Sequence, residues 1–263
     1  MQASFYLQRE LQNNVVCGRI RDPYFIPHFH SHIELYLILS GEVEVLVNDQ
    51  KRLLRAGELS VAFSYDTHSY RTPVEAEAIY LIIPTSFCGQ YGELLSGRAL
   101  SSPFVCDQAT YQTVLQALEG LLVGGNELTR QGLIYVILGA IYDRMLPKSA
   151  ALPTPNRVNT AEILIYLSRH FRESLSLGGV AREFGYNESY FSRYFRQTFG
   201  ISFVRYLAML RLREAVLLMQ AGDRTVTACA LESGFGSIRS FYRAFEEEFG
   251  CSPSEYWRQT EGD

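Results

Sequence analysis

Apolar and polar positions alternate in short runs along the first third of the chain. The runs are IELYLILSG (33–41), EVEVLVND (42–49), KRLLRAGELSVAF (51–63) and AEAIYLIIP (76–84). A period of two, rich in branched aliphatic residues, predicts strands. Gly41, Asn48–Asp49 and Ala56–Gly57 read as breaks between them, with NDQ as a hairpin turn. Short strands at this spacing predict a barrel or sandwich. From about Asp107 the period becomes helical: DQATYQTVLQALEGLL places Tyr111, Val114, Leu115, Leu118, Leu121 and Leu122 on one face. LTRQGLIYVILGAIYDRML (128–146) predicts a second helix, apolar nearly all round. It must be buried, either in its own domain or against another copy. PKSAALPTPN (147–156) carries three prolines in ten residues and predicts an extended linker.

Beyond the linker every pattern is helical, and one phrase occurs twice. GYNESYFSRYFRQTFGIS starts at Gly185, and GFGSIRSFYRAFEEEFGCS starts at Gly234. Phe191, Phe195 and Phe199 match Phe241, Phe245 and Phe249 at an offset of 50. Before the turn the offset is 49, with Ala181 on Ala230 and Gly185 on Gly234. Each copy is thus a helix, a glycine turn and a second helix, and the turns differ by one residue. Phenylalanines at i, i+4 and i+8 mark a buried face. The opposite face carries Ser189, Arg193 and Arg196 in the first copy, and Arg239, Arg243 and Glu246 in the second. This is the plan of a helix-turn-helix pair whose second helices enter successive major grooves, about 34 Å apart. A helical repeat that merely packs would need the same phenylalanines.

Charge leaves that choice open. The net charge is −4; residues 156–263 hold 13 arginines against 13 acids, so the repeat region is balanced rather than basic. Apolar residues make up 47% of the 263, enough for two domains with separate cores. No apolar run approaches the roughly 20 residues of a membrane helix, and MQASFYLQRELQNN has no signal-peptide pattern, so a cytoplasmic protein with no membrane partner is expected. The five cysteines are scattered without a CxxC and are expected to be reduced thiols.

The last 100 or so residues resemble the DNA-binding domain of AraC-type transcription factors. The resemblance runs through LSLGGVAREFGYNESYFSRYFRQTFGISFVRYL, RLREAVLLM and GFGSIRSFYRAFEEEFGCSPSEYWR. It implies recognition helices over about 188–199 and 237–249. It implies base contacts from Ser189, Ser192 and Arg193 in the first unit and from Arg239, Tyr242 and Arg243 in the second, with Arg196 on a phosphate. Glu246 departs from the family, which usually has Lys or Arg there; a carboxylate repels phosphate, or accepts from a cytosine amine. Cys229 replaces a branched aliphatic residue and is expected to pack in the core.

HFHSHIELYLILSG holds His28, His30 and Glu34 in the spacing HxHxxxE, and GELSVAFSYDTH ends on His68. These resemble the two motifs of the cupin barrel, a fold shared by the sensor domains of many AraC-type regulators. Position 63 is Phe where cupins usually have Pro. In metal-binding cupins the positions of His28, His30, Glu34 and His68 hold a divalent transition metal. Here the expected occupant is an organic effector with no metal cofactor, and metal on those four residues is the alternative. His28, His30, Glu34, Tyr36 and His68 are its expected contacts. Nearby aromatic residues (Tyr24, Phe25, Phe29, Tyr36, Phe63, Tyr65, Tyr70) would suit a sugar.

The expected fold class is α+β multidomain. A cupin-like barrel (1–106) is followed by two helices for dimerisation (107–147), a linker (148–157) and an all-α domain with two helix-turn-helix units (158–263). The expected function is a homodimeric, effector-responsive transcription regulator binding double-stranded DNA, not an enzyme. The alternatives are a metal-dependent cupin enzyme fused to a helical module, and a DNA-binding protein whose barrel only dimerises.

Overall fold

The computed structural model describes residues 4–11, 14–84, 87, 98–100, 102–142, 144–147, 160–222 and 224–260. The expected linker at 148–157 lies outside them. The chain forms two compact units, Gln12–Arg157 and Met1–Leu11 together with Val158–Asp263.

The first unit is built around one long strand. The elements are β1 (Ser4–Phe5, in the other unit), β2 (Val16–Arg21), β3 (Tyr24–Phe29), β4 (Ile33–Val47), β5 (Gln50–Arg55), β6 (Leu59–Ala62), β7 (His68–Arg71) and β8 (Ala76–Ile83). Then come β9 (Arg98–Leu100), β10 (Phe104–Val105) and β11 (Met145–Pro147), with β9 and β11 paired to each other. The N-terminal half of β4 pairs with β6 and β8, and its C-terminal half with β5 and β7. β2 extends the first sheet beyond β8, and β3 extends the second beyond β7.

The sequence pattern predicts a break at Gly41. The structure instead runs one strand through it, from one sheet into the other. Gly41 has φ +72, and a Cβ there would lie 1.9 Å from the Glu75 carbonyl oxygen. Glycine therefore bends the strand without ending it. Asn48 (φ 55) and Asp49 do form the hairpin turn between β4 and β5.

Alternation along β4 divides two cores. Ile33, Leu35 and Leu37 pack with Leu59, Val61, Ile79 and Leu81 against helices α2 (Gln108–Val123) and α3 (Glu127–Tyr142). Tyr36, Ile38, Val43 and Val45 face the other way, into the space between the sheets, with Leu54, Ala62 and Tyr70. The expected face of α2 is the buried one: Tyr111, Val114, Leu118 and Leu121 are covered, and the Tyr111 hydroxyl donates to Ile38 O at 2.9 Å. Helix α3 buries Ile134, Ile137, Leu138 and Ile141 within its own domain. It ends at Tyr142, short of the expected 146, where the chain turns into β11.

The second unit is helical: α4 (Thr160–His170), α5 (Leu177–Glu183), α6 (Glu188–Phe199), α7 (Phe203–Gln220), α8 (Val226–Glu232), α9 (Ile238–Phe249) and α10 (Pro253–Thr260). It also takes in β1 and the short helix α1 (Leu7–Glu10), which the sequence reading assigned to the barrel. The reason is local. Phe5 sets its ring edge-on against Tyr206 at 4.9 Å, Leu7 is buried, and the covered Glu10 carboxylate meets Arg213 at 2.7 Å.

Helix α7 is the spine, about 27 Å long at 1.5 Å per residue. Leu212, Ala215 and Val216 on it pack with Ala230, Phe235, Phe241 and Phe245. Cys229 is fully buried, as expected of a core residue, and the four described cysteines are free.

Candidate functional site

The two helix pairs share one local grammar. Asn187 caps α6 by accepting from Ser189 and Tyr190 N–H, and Ser237 caps α9 by accepting from Ser240 N–H. Each helix ends on a left-handed glycine with φ 69, Gly200 and Gly250. The implied recognition helices therefore begin and end where the sequence placed them, with Ser237 as cap rather than first turn. The turns contain Gly185 (φ +72) and Gly234 (φ +93).

Phe191, Phe195 and Phe199 are buried under α6, as are Phe241 and Phe245 under α9. Phe249 is partly buried and packs on Phe245 and Tyr256 at 4.4 and 4.9 Å. The opposite faces are open. Ser189, Ser192, Arg193 and Arg196 are exposed on α6, and Arg239, Tyr242 and Arg243 on α9. None of these four arginines forms an ion pair with a described residue, so their guanidinium groups are available to a partner. Glu246 and Glu247 are exposed on α9, while Glu248 lies 3.4 Å from Arg205.

One feature of α6 is missing from the sequence reading. Tyr186, Tyr190 and Tyr194 stack: Tyr186 lies 5.4 Å from Tyr190 and 5.7 Å from Tyr194, with ring planes within 26°. Tyr190 and Tyr194 are nearly parallel at 12°. The i, i+4, i+8 spacing of tyrosine was the available signal. The equivalents in the second unit are Phe235, Ser240 and Ala244.

In the barrel unit the sequence-distant histidines do come together. His28 lies on β3, opposite His68 on β7. His30 follows β3 on the same side of the chain as His28, and Glu34 enters from β4. All four side chains are buried, and one ligand atom from each lies within 4.8 Å of the others. Backbone carbonyls orient two of the rings. His28 Nδ1–H donates to Ile26 O at 2.8 Å, and His68 Nδ1–H donates to Asp66 O at 2.7 Å. This turns the Nε2 atoms toward the cluster. His30 Nε2 is 3.1 Å from Glu34 Oε2, and His68 Nε2 is 3.6 Å from Glu34 Oε1.

The charges follow from this geometry. Burial, helped by the nearby His68 charge, pushes His28 down to about 4, so it is neutral near pH 7. Burial opposes charge on Glu34 as well, but His68 and the hydrogen bonds from His30 and His68 outweigh it and hold the carboxyl well below its usual range. His68 is raised: burial disfavours its charge, yet the Glu34 carboxylate prevails.

Among the described residues, Ser60 Oγ and the Tyr70 hydroxyl are buried near this cluster without a well-formed hydrogen bond, and His68 Nε2 reaches Glu34 only at 3.6 Å. Buried polar groups in native proteins are nearly always satisfied, so their convergence marks a place where a ligand, ion or water completes the set.

The expected aromatic contacts divide. Phe29, Tyr36, Tyr65 and Tyr70 are core residues. Tyr36 is stacked on Tyr70 at 3.9 Å and beside Tyr80 at 6.0 Å. Tyr24 faces solvent.

Comparison with known proteins places both units. Residues 14–138 match the AraC-like ligand binding domain, and residues 180–259 match a helix-turn-helix domain. Only the termini and 139–179 fall outside these two spans. The chain belongs to the AraC-type transcription regulators, with an N-terminal cupin-like ligand-binding domain.

The Msm operon regulatory protein of Streptococcus mutans is 22% identical over 251 residues, 91% of this chain and 88% of that protein. An uncharacterized HTH-type transcriptional regulator of Staphylococcus aureus is 30% identical over 134 residues; the match takes in half of this chain and 18% of that relative's length. Among solved structures, unsaturated fatty acid bound ToxT from Vibrio cholerae superposes with a TM-score of 0.45 at 14% identity, over 94% of this chain and 96% of that one. No described helix is long and apolar enough to cross a membrane.

Proposed function

We propose that this protein is an effector-responsive transcription regulator that reads two adjacent major-groove segments of double-stranded DNA. The observation that carries the reading is the pair of equivalent helices with buried phenylalanines on one side and, on the other, exposed arginines that form no ion pair among the described residues. Ser189, Ser192 and Arg193, with Arg239, Tyr242 and Arg243, are the proposed base readers. Arg196 is assigned to a phosphate. The test is sequencing of genomic fragments captured by the purified protein, with the Arg193→Ala/Arg243→Ala double variant as control. Enrichment of a few sites by the wild type alone supports the reading; equal enrichment by both sinks the assigned roles.

The effector site is proposed at the histidine end of the barrel, on His28, His30, Glu34, Tyr36 and His68, all of them buried. A carbohydrate remains the organic candidate from the aromatic content, but burial of Tyr36 and Tyr70 leaves few of those rings open to stack on a sugar.

The donor set itself favours a second occupant, a divalent transition metal. Metal–nitrogen and metal–oxygen bonds of about 2.0–2.2 Å put ligand atoms no more than about 4.4 Å apart. The observed limit of 4.8 Å needs only a few tenths of an ångström of closure. The backbone acceptors on His28 and His68 Nδ1 are the outer partners that metal-binding imidazoles use. Such an ion, held by His28, His30, Glu34 and His68, would supply a Lewis acid for an oxygen of the effector.

Protein purified without a histidine tag is expected to carry about one divalent ion per chain by elemental analysis, and Glu34→Gln to lose most of it. A metal-free wild type whose melting temperature ignores both chelator and added zinc or manganese would return the site to an organic effector alone.

The homodimer is proposed through the outer face of α3. Leu128 and Val136 are exposed there, in line with Gly132 and Gly139. Val136→Glu is expected to shift the sedimenting species from dimer to monomer with an unchanged barrel; a wild-type monomer would refute the interface.

A further inference from the structure

We propose that Tyr190 is a further DNA contact of the first unit, its phenol donating a hydrogen bond to a backbone phosphate at the edge of the groove. This rests on the DNA-reading function proposed above.

At about 100° per residue, Arg193 and Gln197 straddle the line opposite the phenylalanine face of α6. Tyr190 lies about 40° from that line, nearer than Ser189 at about 60°. Tyr190 is also half exposed, at 50%, so its ring is open to a partner. A neutral phenol near the outward line reaches what the helix faces.

Tyr190 is one of three mutually packed rings: Tyr186, set just before the helix, lies 5.4 Å from it, Tyr194, one turn on, runs parallel to it at 6.2 Å, and the two neighbours are 5.7 Å apart. The stack fixes the ring before any partner arrives, so little side-chain freedom is lost on binding. Asn187 anchors the same turn by accepting from Tyr190 N–H. Tyrosine hydroxyls are among the ordinary donors to DNA phosphates.

The second unit has Ser240 and Ala244 in place of Tyr190 and Tyr194, and Glu246 and Glu247 in place of Arg196 and Gln197. The second helix carries Arg239 where the first has Ser189, but at the 190, 194 and 196 positions the phenols and the arginine lie on the first helix alone. The ladder therefore belongs to an asymmetric grip, in which the first unit supplies the sequence-independent hold.

The test compares full-length wild type, Tyr190→Phe and Arg193→Ala on a captured genomic site and on a scrambled duplex of equal length, over a range of salt. Tyr190→Phe keeps the ring stack and so the fold. It is expected to weaken binding to both duplexes by the same factor, about 10-fold, as for a hydrogen bond to a charged acceptor. The slope of affinity against salt is expected to be unchanged, because a neutral donor releases no counterion.

Wild-type affinity of Tyr190→Phe on both duplexes overturns the contact. A loss confined to the genomic site overturns the phosphate assignment in favour of a base edge. Arg193→Ala separates the two levels: if it loses the genomic site while Tyr190→Phe loses nothing, only the ladder proposal fails. If neither the wild type nor any variant distinguishes the duplexes, the DNA-reading function fails with it.

Discussion

Alanine at both Arg193 and Arg243 is expected to remove selective DNA binding almost entirely. Each guanidinium sits at the same place in its repeat, two residues after the first buried phenylalanine, exposed and without an ionic partner among the described residues. A bidentate pair with guanine is worth about 1–3 kcal/mol of discrimination. Helices entering different groove segments share no partner, so the two losses should nearly add. The double variant is then expected to lose on the order of 10²–10⁴ in preference for its site over random DNA. Each single variant should lose about the square root of that. Fluorescence anisotropy on a captured site and on a scrambled duplex measures both terms. Equal losses on the two duplexes would assign the arginines to phosphates instead.

The second unit makes this a sharper test than the symmetry of the repeat suggests. Glu246 and Glu247 occupy the end of α9 where the first helix has Arg196 and Gln197. If their charge keeps α9 away from the backbone, Arg243→Ala alone will be silent and Arg193→Ala will carry the whole effect. The ratio of the two single-variant losses therefore measures how far the second helix engages.

The recognition helices were legible in the sequence for a physical reason. Phenylalanine at every fourth position, bracketed by an Asn or Ser cap and a left-handed glycine, leaves one amphipathic solution, and α6 runs over the expected residues. The histidine cluster was legible as a set through the resemblance of the stretches around His28–Glu34 and His68 to the two cupin motifs, and the structure brings those four residues together.

What escaped needs three dimensions. Gly41 looks like any turn glycine, and only the approach of the Glu75 carbonyl shows that it bends a strand shared by two sheets. The ends of α3 and β11 depend on the pairing of Met145 with Leu100, which no local pattern announces. Residues 4–11 form too short a run for a pattern to declare a partner, and their place beside Tyr206 and Arg213 is a tertiary choice. The orphaned Ser60 and Tyr70 hydroxyls, too, become visible only when strands far apart in sequence converge.

The two turn glycines, one in each repeat, are expected to differ sharply in tolerance although the sequence treats them as equivalents. Both have positive φ, +72 at Gly185 and +93 at Gly234, so any side chain adds about 1–2 kcal/mol of backbone strain at either. At Gly185 nothing lies within 4 Å of a built Cβ, and that strain is the whole cost. At Gly234 the Cβ would sit 2.7 Å from Arg172 Cα and 2.8 Å from its carbonyl oxygen. Those are backbone atoms, and they cannot swing aside as a side chain can. Arg172 is itself tethered: its guanidinium pairs with Glu214 on α7, and the carbonyls of its neighbours Phe171 and Glu173 accept from Arg211 at 2.7 and 2.8 Å. Overpacking of this kind adds about 1–3 kcal/mol. Gly234→Ala is therefore expected to cost about 2–5 kcal/mol of the helical unit's stability, and Gly185→Ala about 1–2. Thermal and urea melting of both variants decides the matter. Equal losses would mean that the segment around Arg172 yields, and that the second helix pair is held less rigidly against α7 than its packing implies.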